Sequence, residues 1–467
     1  MDILIVGGGI TGLAAAHRLI ELNDENNFEV NFKLLESSPR LGGNISTLTQ
    51  DNLLIEEGPD SFITAKPHGL NLCKRLGIEN ELIPTSEKNR KTLIYLNGRL
   101  VALPEGFILL SPTKILPFIT SPILSFYGKI RVLLELLIPK SKNVGDESLE
   151  SFVTRRFGKE LFENIAQPLI GGIYTSDPQR LSMKSALPNI HNLEHRYGSV
   201  IKGFMNEYSS EQESGARYSQ FVTLKDGMQT LVDAITSKIP DESIKTNQTV
   251  KQIKKTKAGW KVETENGEKY QADGIIFAAP SYVSAKILGS LDPELSDELS
   301  KIEFASSAIV ILAYKKEAFI NKIDGFGFVL PAKENLNIIA CSFSSEKFEG
   351  RAPSDTILLR CFVGGALNQD FLNNDDHHII NTVKDELNQI LYINSEPQFT
   401  HLKRYPSSMP QYNVGHSEIL SNINKIMSKY SDIELAGNSY EGVGIPDCIR
   451  SGEMAAENII NSFNSEN

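Results

Sequence analysis

Apolar positions near the start of the chain predict a strand, a tight turn, a helix and a second strand. Residues Ile3–Val6 form a continuous apolar run, which is typical of a strand buried on both faces. Glycines occupy positions 7–9, and the segment after them is amphipathic, with small residues at Ala14–Ala16. A second apolar run ends at Leu35 and predicts the second strand.

The rest of the chain alternates between strand-like and helix-like segments. Residues 93–106 predict a hairpin, and residues from about 111 to 210 have mostly helical periodicity. Residues 246–280 predict a meander of short strands that ends in a buried strand. Apolar runs between about 300 and 365 predict a second sheet, and residues 434–460 predict a strand, a glycine loop and a helix.

These elements predict an α/β fold with a discontinuous, Rossmann-like nucleotide-binding domain. A substrate domain with a mixed sheet and a helical insert would lie between its pieces. The predicted segments are 1–85, 220–290 and 430–467 for the nucleotide-binding domain, 86–110 and 291–425 for the substrate domain, and 111–210 for the helical insert.

The most lipid-like segment, residues 115–139, is too interrupted to span a membrane. Pro117 and Pro122 break it, and Lys129 and Arg131 lie inside it, whereas a spanning helix needs about 20 nearly uncharged residues. Its second half predicts an amphipathic helix with an apolar side. That side consists of Ile130, Leu133, Leu134 and Leu137. Two interpretations stay open, a core or cavity-wall helix, which we prefer, and a contact with a membrane surface.

Composition narrows the classes of function. The chain has 467 residues, of which 40% are hydrophobic and 22% charged, as in a globular protein with more than one domain. Its net charge of -11 argues against a nucleic-acid partner. The beginning of the chain lacks the pattern of a secretory signal, so we expect a cytoplasmic protein. Four cysteines without a CxxC pair and eight histidines without ligand spacing predict buried free thiols and no metal site.

Gly7, Gly9 and Gly12 match the G-x-G-x-x-G pattern of a dinucleotide-binding turn. The first glycine permits the tight turn, the second lets the backbone approach a pyrophosphate, and the third lets helix and strand pack closely. The pyrophosphate would lie on free amide groups at the helix N-terminus. Glu36 follows Leu35, at slightly more than the usual spacing of roughly 20 residues, and would accept hydrogen bonds from the ribose hydroxyls.

Arg40, Gly42 and Gly43 follow Glu36 in an E-x-x-x-R-x-G-G pattern. This run resembles the amine-oxidase-like flavoproteins, in which the arginine and the glycines help to hold the FAD diphosphate. A nicotinamide enzyme has no use for a second phosphate cradle at that place. The resemblance therefore implies FAD as the cofactor and an amine-oxidase-like flavoprotein architecture.

Five further blocks resemble the porphyrinogen oxidases of haem biosynthesis, which are FAD enzymes that aromatise coproporphyrinogen III or protoporphyrinogen IX. The blocks lie in order along nearly the whole chain, and the G-G-I-Y and M-P-Q-Y stretches are far more restricted than the glycine fingerprint. They are "EEGPDSF" (56–62), "PLIGGIYTSDPQRLSM" (168–183), "TLKDGMQTL" (223–231), "MPQYNVGH" (409–416) and "AGNSYEGVGIPDCI" (436–449).

The resemblance assigns roles by matching position. Arg90 would bind a substrate propionate, and we prefer it to Lys91 because a guanidinium matches a carboxylate with two hydrogen bonds. Gly172 would line the substrate cavity beside the flavin, and Tyr405 stands where the family often has tryptophan. No catalytic side chain is named. The implied FAD-binding residues are Gly7, Gly8, Gly9, Thr11, Gly12, Glu36, Ser37, Arg40, Gly42, Gly43, Gly58, Pro59, Asp60, Ser61, Val250, Tyr405, Gly444, Ile445 and Pro446.

The resemblance implies a flavin oxidase that removes six electrons from coproporphyrinogen III and uses O2 as acceptor, giving coproporphyrin III and hydrogen peroxide. Oxidation of protoporphyrinogen IX is the alternative. Another flavoenzyme of the amine-oxidase class and a non-catalytic, escort-like protein are the less favoured hypotheses. The sequence leaves open a peripheral contact at the inner face of the membrane, an association with a ferrochelatase, and the oligomeric state.

Overall fold

The computed structural model describes residues 1–26, 29–87, 90–108, 110–141, 145–207 and 221–465. The strands are β1 Asp2–Val6, β2 Asn31–Leu35, β3 Thr47–Gln50, β4 Leu53–Glu56, β5 Phe62–Ile63, β6 Leu82–Pro84, β7 Thr92–Leu96, β8 Arg99–Ala102, β9 Phe107–Ile108, β10 Ser111–Pro112, β11 Phe221–Leu224, β12 Ile244–Lys245, β13 Val250–Thr256, β14 Gly259–Thr264, β15 Lys269–Ala272, β16 Gly274–Phe277, β17 Phe304–Lys315, β18 Gly327–Val329, β19 Ile338–Phe343, β20 Thr356–Gly364, β21 Phe399–Pro410 and β22 Ile433–Leu435. The α-helices are α1 Ile10–Asn26, α2 His68–Arg75, α3 Ile115–Thr120, α4 Phe126–Leu133, α5 Leu149–Phe157, α6 Lys159–Leu161, α7 Gly172–Tyr174, α8 Met183–Ala186, α9 Pro188–Tyr197, α10 Val200–Glu207, α11 Gln229–Thr236, α12 Ser281–Leu288, α13 Pro293–Ser300, α14 Ser344–Lys347, α15 Asp376–Leu391, α16 His416–Met427 and α17 Ile445–Ser465.

The first and last parts of the chain meet in one parallel sheet, in the order β12-β2-β1-β16-β22. Apolar residues of α1 and α17 share a core with this sheet. The two helices cross closely, because a Cβ on Gly452 would lie only 2.1 Å from the carbonyl oxygen of Thr11. The predicted α/β fold with a discontinuous Rossmann-like sheet is confirmed, and the parallel arrangement brings the carboxyl ends of these strands to one edge.

A second sheet of seven strands has the order β21-β17-β20-β19-β18-β7-β8 and is mixed, because only β18 and β7 pair in parallel. Its β7–β8 pair is the predicted hairpin, with Asn97 and Gly98 both at positive φ as a type I′ turn requires. One face of the sheet packs against α15. The other face packs against β4 and lies towards the domain that contains the parallel sheet.

The helical insert runs from α3 to α10 and has its own apolar core. Inside it the buried Arg156 pairs with Glu135, and both side chains are inaccessible to solvent. The chain also forms a π-helical segment, Phe162–Gly171, which has Pro168 inside it. π-helical segments are frequent at functional sites.

The preferred interpretation of the amphipathic segment as a core or cavity-wall helix holds only in part, because Val132 and Leu133 pack in the core of the insert while the other residues of the predicted apolar side are exposed. Its regular helix α4 ends at Leu133 and a 3-10 turn follows, so the expected apolar side is not one continuous face. Val132 and Glu135 face the core of the insert instead. Leu134 and Leu137 are 45% and 78% exposed.

Two further predictions, the meander and the state of the cysteines, are confirmed, whereas the segment boundaries are not tested. The meander is confirmed as the antiparallel strands β13, β14 and β15. All four cysteines are buried free thiols, as predicted. The boundaries of the six segments stay a prediction, and their ends at 210, 220 and 467 lie outside the described residues.

Candidate functional site

The glycine turn between β1 and α1 combines close packing with open space. Gly7 has a φ of +110°, and a Cβ there would lie 2.5 Å from the carbonyl oxygen of Ala278. A Cβ on Gly12 would lie 1.9 Å from the carbonyl oxygen of Gly7. A Cβ on Gly9 would meet nothing closer than Gly43 Cα, at 4.0 Å. Two of these glycines are therefore required by the chain itself, whereas Gly9 leaves room for a ligand against the backbone.

Glu36, at the end of β2, lies directly beside this turn. Its carboxylate accepts hydrogen bonds from the backbone N–H groups of Gly8 and Ser38, each at 2.7 Å. The Ser37 hydroxyl donates to the same carboxylate at 3.2 Å. Backbone donors hold the acid at the position where a ribose is expected.

Val250, another of the predicted FAD-binding residues, is near Glu36. The backbone N–H of Gln248 donates to the carbonyl oxygen of Glu36 at 2.8 Å, two residues before Val250. Val250 itself is buried at the beginning of β13. The three predicted residues at this end, Gly8, Glu36 and Val250, thus lie together.

Arg40 organises the turn after β2. Its guanidinium donates to the carbonyl oxygens of Leu41 and Ile45 at 3.0 and 2.9 Å, and to that of Gly43. Gly42 and Gly43 have φ values of +100° and +58°. The backbone N–H of Gly42 donates to the carbonyl oxygen of Gly8 at 2.8 Å, so the second glycine pair lies against the first turn.

The Gly58–Ser61 segment follows β4 and is held by ion pairs. Asp60 accepts from Lys347 Nζ at 2.9 Å, and Arg360 Nη1 lies 3.2 Å from the same carboxylate. Arg360 also donates to the carbonyl oxygen of Gly58. Burial alone would raise the pKa of Asp60, but Lys347 and Arg360 outweigh it and hold that pKa well below its ordinary value.

Two buried polar atoms next to this segment have no hydrogen-bond partner in the described part of the chain, Tyr405 Oη and Arg360 Nε. A Cβ on Gly58 would lie 3.3 Å from Tyr405 Oη, so the phenol is close to the segment. Burial raises the pKa of Tyr405 to about 12, above a value at which the phenol is already neutral at pH 7. Because buried polar groups are rarely left unpaired, these atoms indicate a polar ligand between the two domains.

The C-terminal glycine loop ends where α17 begins. The backbone N–H groups of Asp447 and Cys448 donate to the carbonyl oxygen of Gly444, both at 3.0 Å. Ile445 and Pro446 form the first turn of the helix, which carries partial positive charge. Thr11 is buried at the α1–α17 crossing, next to Gly452.

A cavity of about 310 Å³ lies between the end of the π-helical segment and β19. Gly171 lines it, and the predicted Gly172 is half-buried next to it, where a Cβ would lie 3.8 Å from Ile339. Ile339 also lines the cavity. Gly172 therefore has open space around its Cα, as a residue beside a flat ligand requires.

Arg90 is not among the residues that line this cavity. It precedes β7, and its guanidinium lies 3.3 Å from Glu87. The nearby Ser86 N–H donates to the carbonyl oxygen of Lys347 at 2.9 Å, which places Arg90 on the Asp60 side of β19. Arg90 and Gly172 thus lie towards opposite ends of β19.

Sequence reasoning missed Lys347, Arg360 and Thr175. Arg360 had a signal, because a charged residue inside the apolar run Thr356–Gly364 must find a buried partner. Lys347 lies in a polar stretch that offers no such signal. Thr175 lies in a block quoted for its resemblance, and its conformation cannot be read from the sequence.

Comparisons with known proteins place the chain among flavoproteins. The family model described as flavin containing amine oxidoreductase matches residues 10–460. Coproporphyrinogen III oxidase of Bacillus subtilis (strain 168) is 35% identical over 462 residues, which are 98% of this chain and 97% of that protein. Protoporphyrinogen oxidase 1, chloroplastic, of Spinacia oleracea is 30% identical over 98% of this chain and 84% of its own.

Solved structures give the same result. A protein from Exiguobacterium sp. 255-15, provisionally described as a protoporphyrinogen oxidase, matches 99% of this chain and 99% of its own with a TM-score of 0.87 and 27% identity. Cyclohexylamine oxidase from Brevibacterium oxydans IH-35A matches all of this chain and 99% of its own with a TM-score of 0.71 and 15% identity. The second likeness concerns the fold alone.

Proposed function

The chain belongs to the flavin-containing amine oxidoreductase family, and from that premise we propose that it oxidises coproporphyrinogen III to coproporphyrin III. It is an FAD-dependent oxidoreductase. The relatives at 35% and 32% identity are both coproporphyrinogen III oxidases, which favours this substrate over protoporphyrinogen IX, the alternative.

The observation that carries the proposal is the arrangement of the site around one long ligand. The Gly7–Gly12 turn and Glu36 lie at the carboxyl ends of β1 and β2, and α17 begins after β22 in the same parallel sheet. The unpaired Tyr405 Oη and Arg360 Nε lie at the boundary between the two domains. Residues of this type and placement fit FAD, with the diphosphate at the glycine turn.

When bound, FAD supplies the two-electron oxidant for the substrate. The free amides at the beginning of α1 would hold its diphosphate, and Glu36 its ribose. The N-terminus of α17 favours negative charge at the other end of the site. Lys347 and Arg360 pair with Asp60 beside the Gly58 segment and place two cationic side chains there.

The cavity would exclude water from one side of the substrate and orient it. The residues that line it are apolar, amide or hydroxyl side chains and glycines. No carboxylate, imidazole or amine is among these lining residues, so we name no general base. Backbone carbonyl oxygens and water are the acceptors that we propose for the pyrrole protons.

We further propose O2 as the electron acceptor, with hydrogen peroxide as its product. The proposal as a whole is tested by incubating purified, FAD-loaded protein with coproporphyrinogen III, protoporphyrinogen IX and a simple amine in air. We expect fluorescent coproporphyrin III and hydrogen peroxide, with slower turnover of protoporphyrinogen IX. Turnover of the amine alone would support the amine-oxidase hypothesis, and failure to take up FAD would support the escort-like hypothesis.

A second proposal concerns the exposed apolar residues of the helical insert, here called the insert surface. In the described part of the chain, no helix is both long enough and apolar enough to cross a membrane. The insert surface consists of Ile115, Leu116, Ile119, Phe126, Tyr127, Ile130, Leu134 and Leu137, all of them exposed. Exposed apolar residues concentrated in so short a segment are typical of an interaction site.

Charge favours a lipid partner for the insert surface. Residues 110–141 contain four basic side chains and one acid, Glu135, which is buried. Glu105, which pairs with Lys114, and Glu160, which accepts from Ser125, lie at the same surface and leave a smaller excess of positive charge, in contrast with the net charge of -11 for the whole chain. We propose peripheral contact with an anionic membrane surface, because apolar burial and attraction to anionic lipids act together there.

A further inference from the structure

Thr175 has a backbone conformation that threonine rarely adopts. It follows α7 with φ 48° and ψ 33°, in the left-handed region. For a β-branched residue this is a true outlier. Such residues persist only where the surroundings fix them, and they cluster at ligand sites.

Two neighbouring segments fix this conformation. The backbone N–H of Ala366 donates to the carbonyl oxygen of Thr175 at 2.8 Å. Gly365 has a φ of +71°, and a Cβ there would lie 3.1 Å from that same oxygen, so a side chain would crowd the contact. On the other side, the N–H of Ser176 donates to the carbonyl oxygen of Gly171 at 3.2 Å. The fold therefore holds Thr175 in one orientation.

That orientation leaves the hydroxyl of Thr175 unpaired. Its Oγ1 is buried and has no hydrogen-bond partner anywhere in the described residues. Thr175 lines the 310 Å³ cavity beside Gly171. An unpaired buried hydroxyl is costly, so a polar ligand atom in the cavity would remove a cost that the protein otherwise carries.

Gln167 supplies a second donor to the same cavity. Its Oε1 accepts from the backbone N–H of Ala332 at 2.8 Å. Because that partner is a donor, the acceptor end of the amide is fixed and the NH2 group points the other way. Gln167 Nε2 donates to no residue of the described chain, and it would lie 3.8 Å from a Cβ on Gly171. Gln167 and Thr175 thus flank Gly171 in the cavity lining.

Two neutral donors without a nearby carboxylate suit a group that can only accept hydrogen bonds. The residues lining the cavity include no charged side chain. A carboxylate is such an acceptor, and hydrogen bonds to it are stronger than those between neutral groups. Coproporphyrinogen III carries propionates at the two positions where protoporphyrinogen IX carries vinyl groups.

From this geometry we infer that Gln167 Nε2 and Thr175 Oγ1 bind the carboxylate of a propionate that coproporphyrinogen III has and protoporphyrinogen IX lacks. The inference rests on the proposed function and adds the group that selects the substrate. A vinyl group at this place would leave the buried Thr175 hydroxyl unpaired, and sites built to hydrogen-bond a substrate group discriminate strongly against analogues without it.

A matched pair of variants tests the role of the hydroxyl. Thr175→Val keeps the shape and the β-branch and removes the hydroxyl, whereas Thr175→Ser keeps the hydroxyl. Affinities of the FAD-loaded proteins for coproporphyrin III and protoporphyrin IX are measured by porphyrin fluorescence. We expect Thr175→Val to lower the affinity for coproporphyrin III roughly ten-fold or more. Protoporphyrin IX affinity should change less than about two-fold, as should both affinities in Thr175→Ser.

Gln167→Glu provides an independent test that does not depend on the strained residue. One carboxylate oxygen can still accept from Ala332, while the other replaces the donor with a negative charge. We expect this variant to lose coproporphyrin III affinity more than protoporphyrin IX affinity, with an unchanged melting temperature. Equal losses for both porphyrins, or no loss for either, would overturn the inference. If the unaltered, FAD-loaded protein bound neither porphyrin, the proposed function itself would fail as well.

Discussion

Arg360 Nη1 lies 3.2 Å from Asp60 Oδ2, which joins the second sheet to the segment after β4. Arg360 is only 2% exposed, so this pair is shielded from solvent. The same arginine donates to the carbonyl oxygen of Gly58. The contact couples the two domains at the proposed cofactor site.

Replacing Arg360 by Met should destabilise the protein. Asp60 would lose one of its two ion-pair partners and keep Lys347, and the Gly58 carbonyl would lose its donor. Breaking a buried pair costs about 3 kcal/mol of unfolding free energy, which urea denaturation of the FAD-free protein measures. The matched control is Arg180→Met, because Arg180 and Glu303 form a half-exposed pair and should contribute less than about 1 kcal/mol.

The pH dependence of the Arg360 effect has a definite sign. The pKa of Asp60 is lowered in the folded protein, so its contribution is fully present above the unfolded pKa of about 3.9. The contribution of Asp60 to stability is lost only as the pH falls towards its pKa in the folded protein, which lies below the unfolded pKa. An Arg360→Met effect that disappeared between pH 5 and 8 would contradict this account.

Gly9 and Gly12 should respond differently to alanine. A Cβ on Gly12 would lie 1.9 Å from a backbone oxygen, whereas a Cβ on Gly9 meets nothing within 4 Å except Gly43 Cα at that limit. We expect Gly12→Ala to lower the melting temperature of the FAD-free protein. Gly9→Ala should melt like the unaltered protein and yet bind FAD more weakly by isothermal titration. Unchanged FAD affinity in Gly9→Ala would argue against a diphosphate at this turn.

Glu434 should make stability depend on pH. Burial raises its pKa to about 6 from 4.5, so the folded protein binds the proton more tightly than the unfolded chain. Stability from this group is present below the unfolded pKa and lost as the pH rises through about 6. Glu434→Gln should therefore be more stable than the unaltered protein at pH 8, by about 1–2 kcal/mol.

The gain in unfolding free energy of Glu434→Gln should vanish near pH 4, where the Glu434 carboxyl is mostly protonated in both the folded and the unfolded protein. Urea unfolding of both proteins at several pH values measures this difference. Glu418→Gln, at an exposed acid on the neighbouring α16, is the matched control for the substitution itself. A pH-independent difference for Glu434→Gln would refute the assignment.

The insert surface should bind anionic vesicles through its apolar residues. Leu116 and Leu137 are 73% and 78% exposed, so Leu116→Asp with Leu137→Asp should leave the fold intact. Removing two apolar side chains from a membrane contact should weaken sedimentation with phosphatidylserine vesicles at least about ten-fold. Ile320→Asp, at an exposed isoleucine outside the insert, is the control. If the unaltered protein, the double variant and Ile320→Asp sedimented equally with the vesicles, the insert surface would not be a membrane contact.

Local patterns were sufficient for much of the fold. The Gly7–Gly12 turn, the β7–β8 hairpin and the beginning of α17 depend on residues that are close in sequence, so periodicity and turn chemistry specify them. Periodicity and turn chemistry could not predict the exposure of Leu134 and Leu137. An amphipathic pattern shows that a side is apolar, but the covering of that side depends on tertiary packing.

The ion pairs of the site also lay beyond sequence reasoning. Asp60 and Arg360 come together through the second sheet, and the hydrogen bond of Arg360 to Gly58 spans 302 positions of the chain. The left-handed conformation of Thr175 is held by a hydrogen bond from Ala366, which follows β20 and is distant in the sequence. Contacts between distant segments follow from topology, which pattern alone specifies only coarsely.

The most direct test of the central claim is anaerobic mixing of FAD-loaded protein with coproporphyrinogen III. The account predicts that the absorbance of oxidised flavin is lost on mixing and returns when air is admitted, with formation of coproporphyrin III and hydrogen peroxide. Flavin that stays oxidised in the presence of both coproporphyrinogen III and protoporphyrinogen IX would contradict the account.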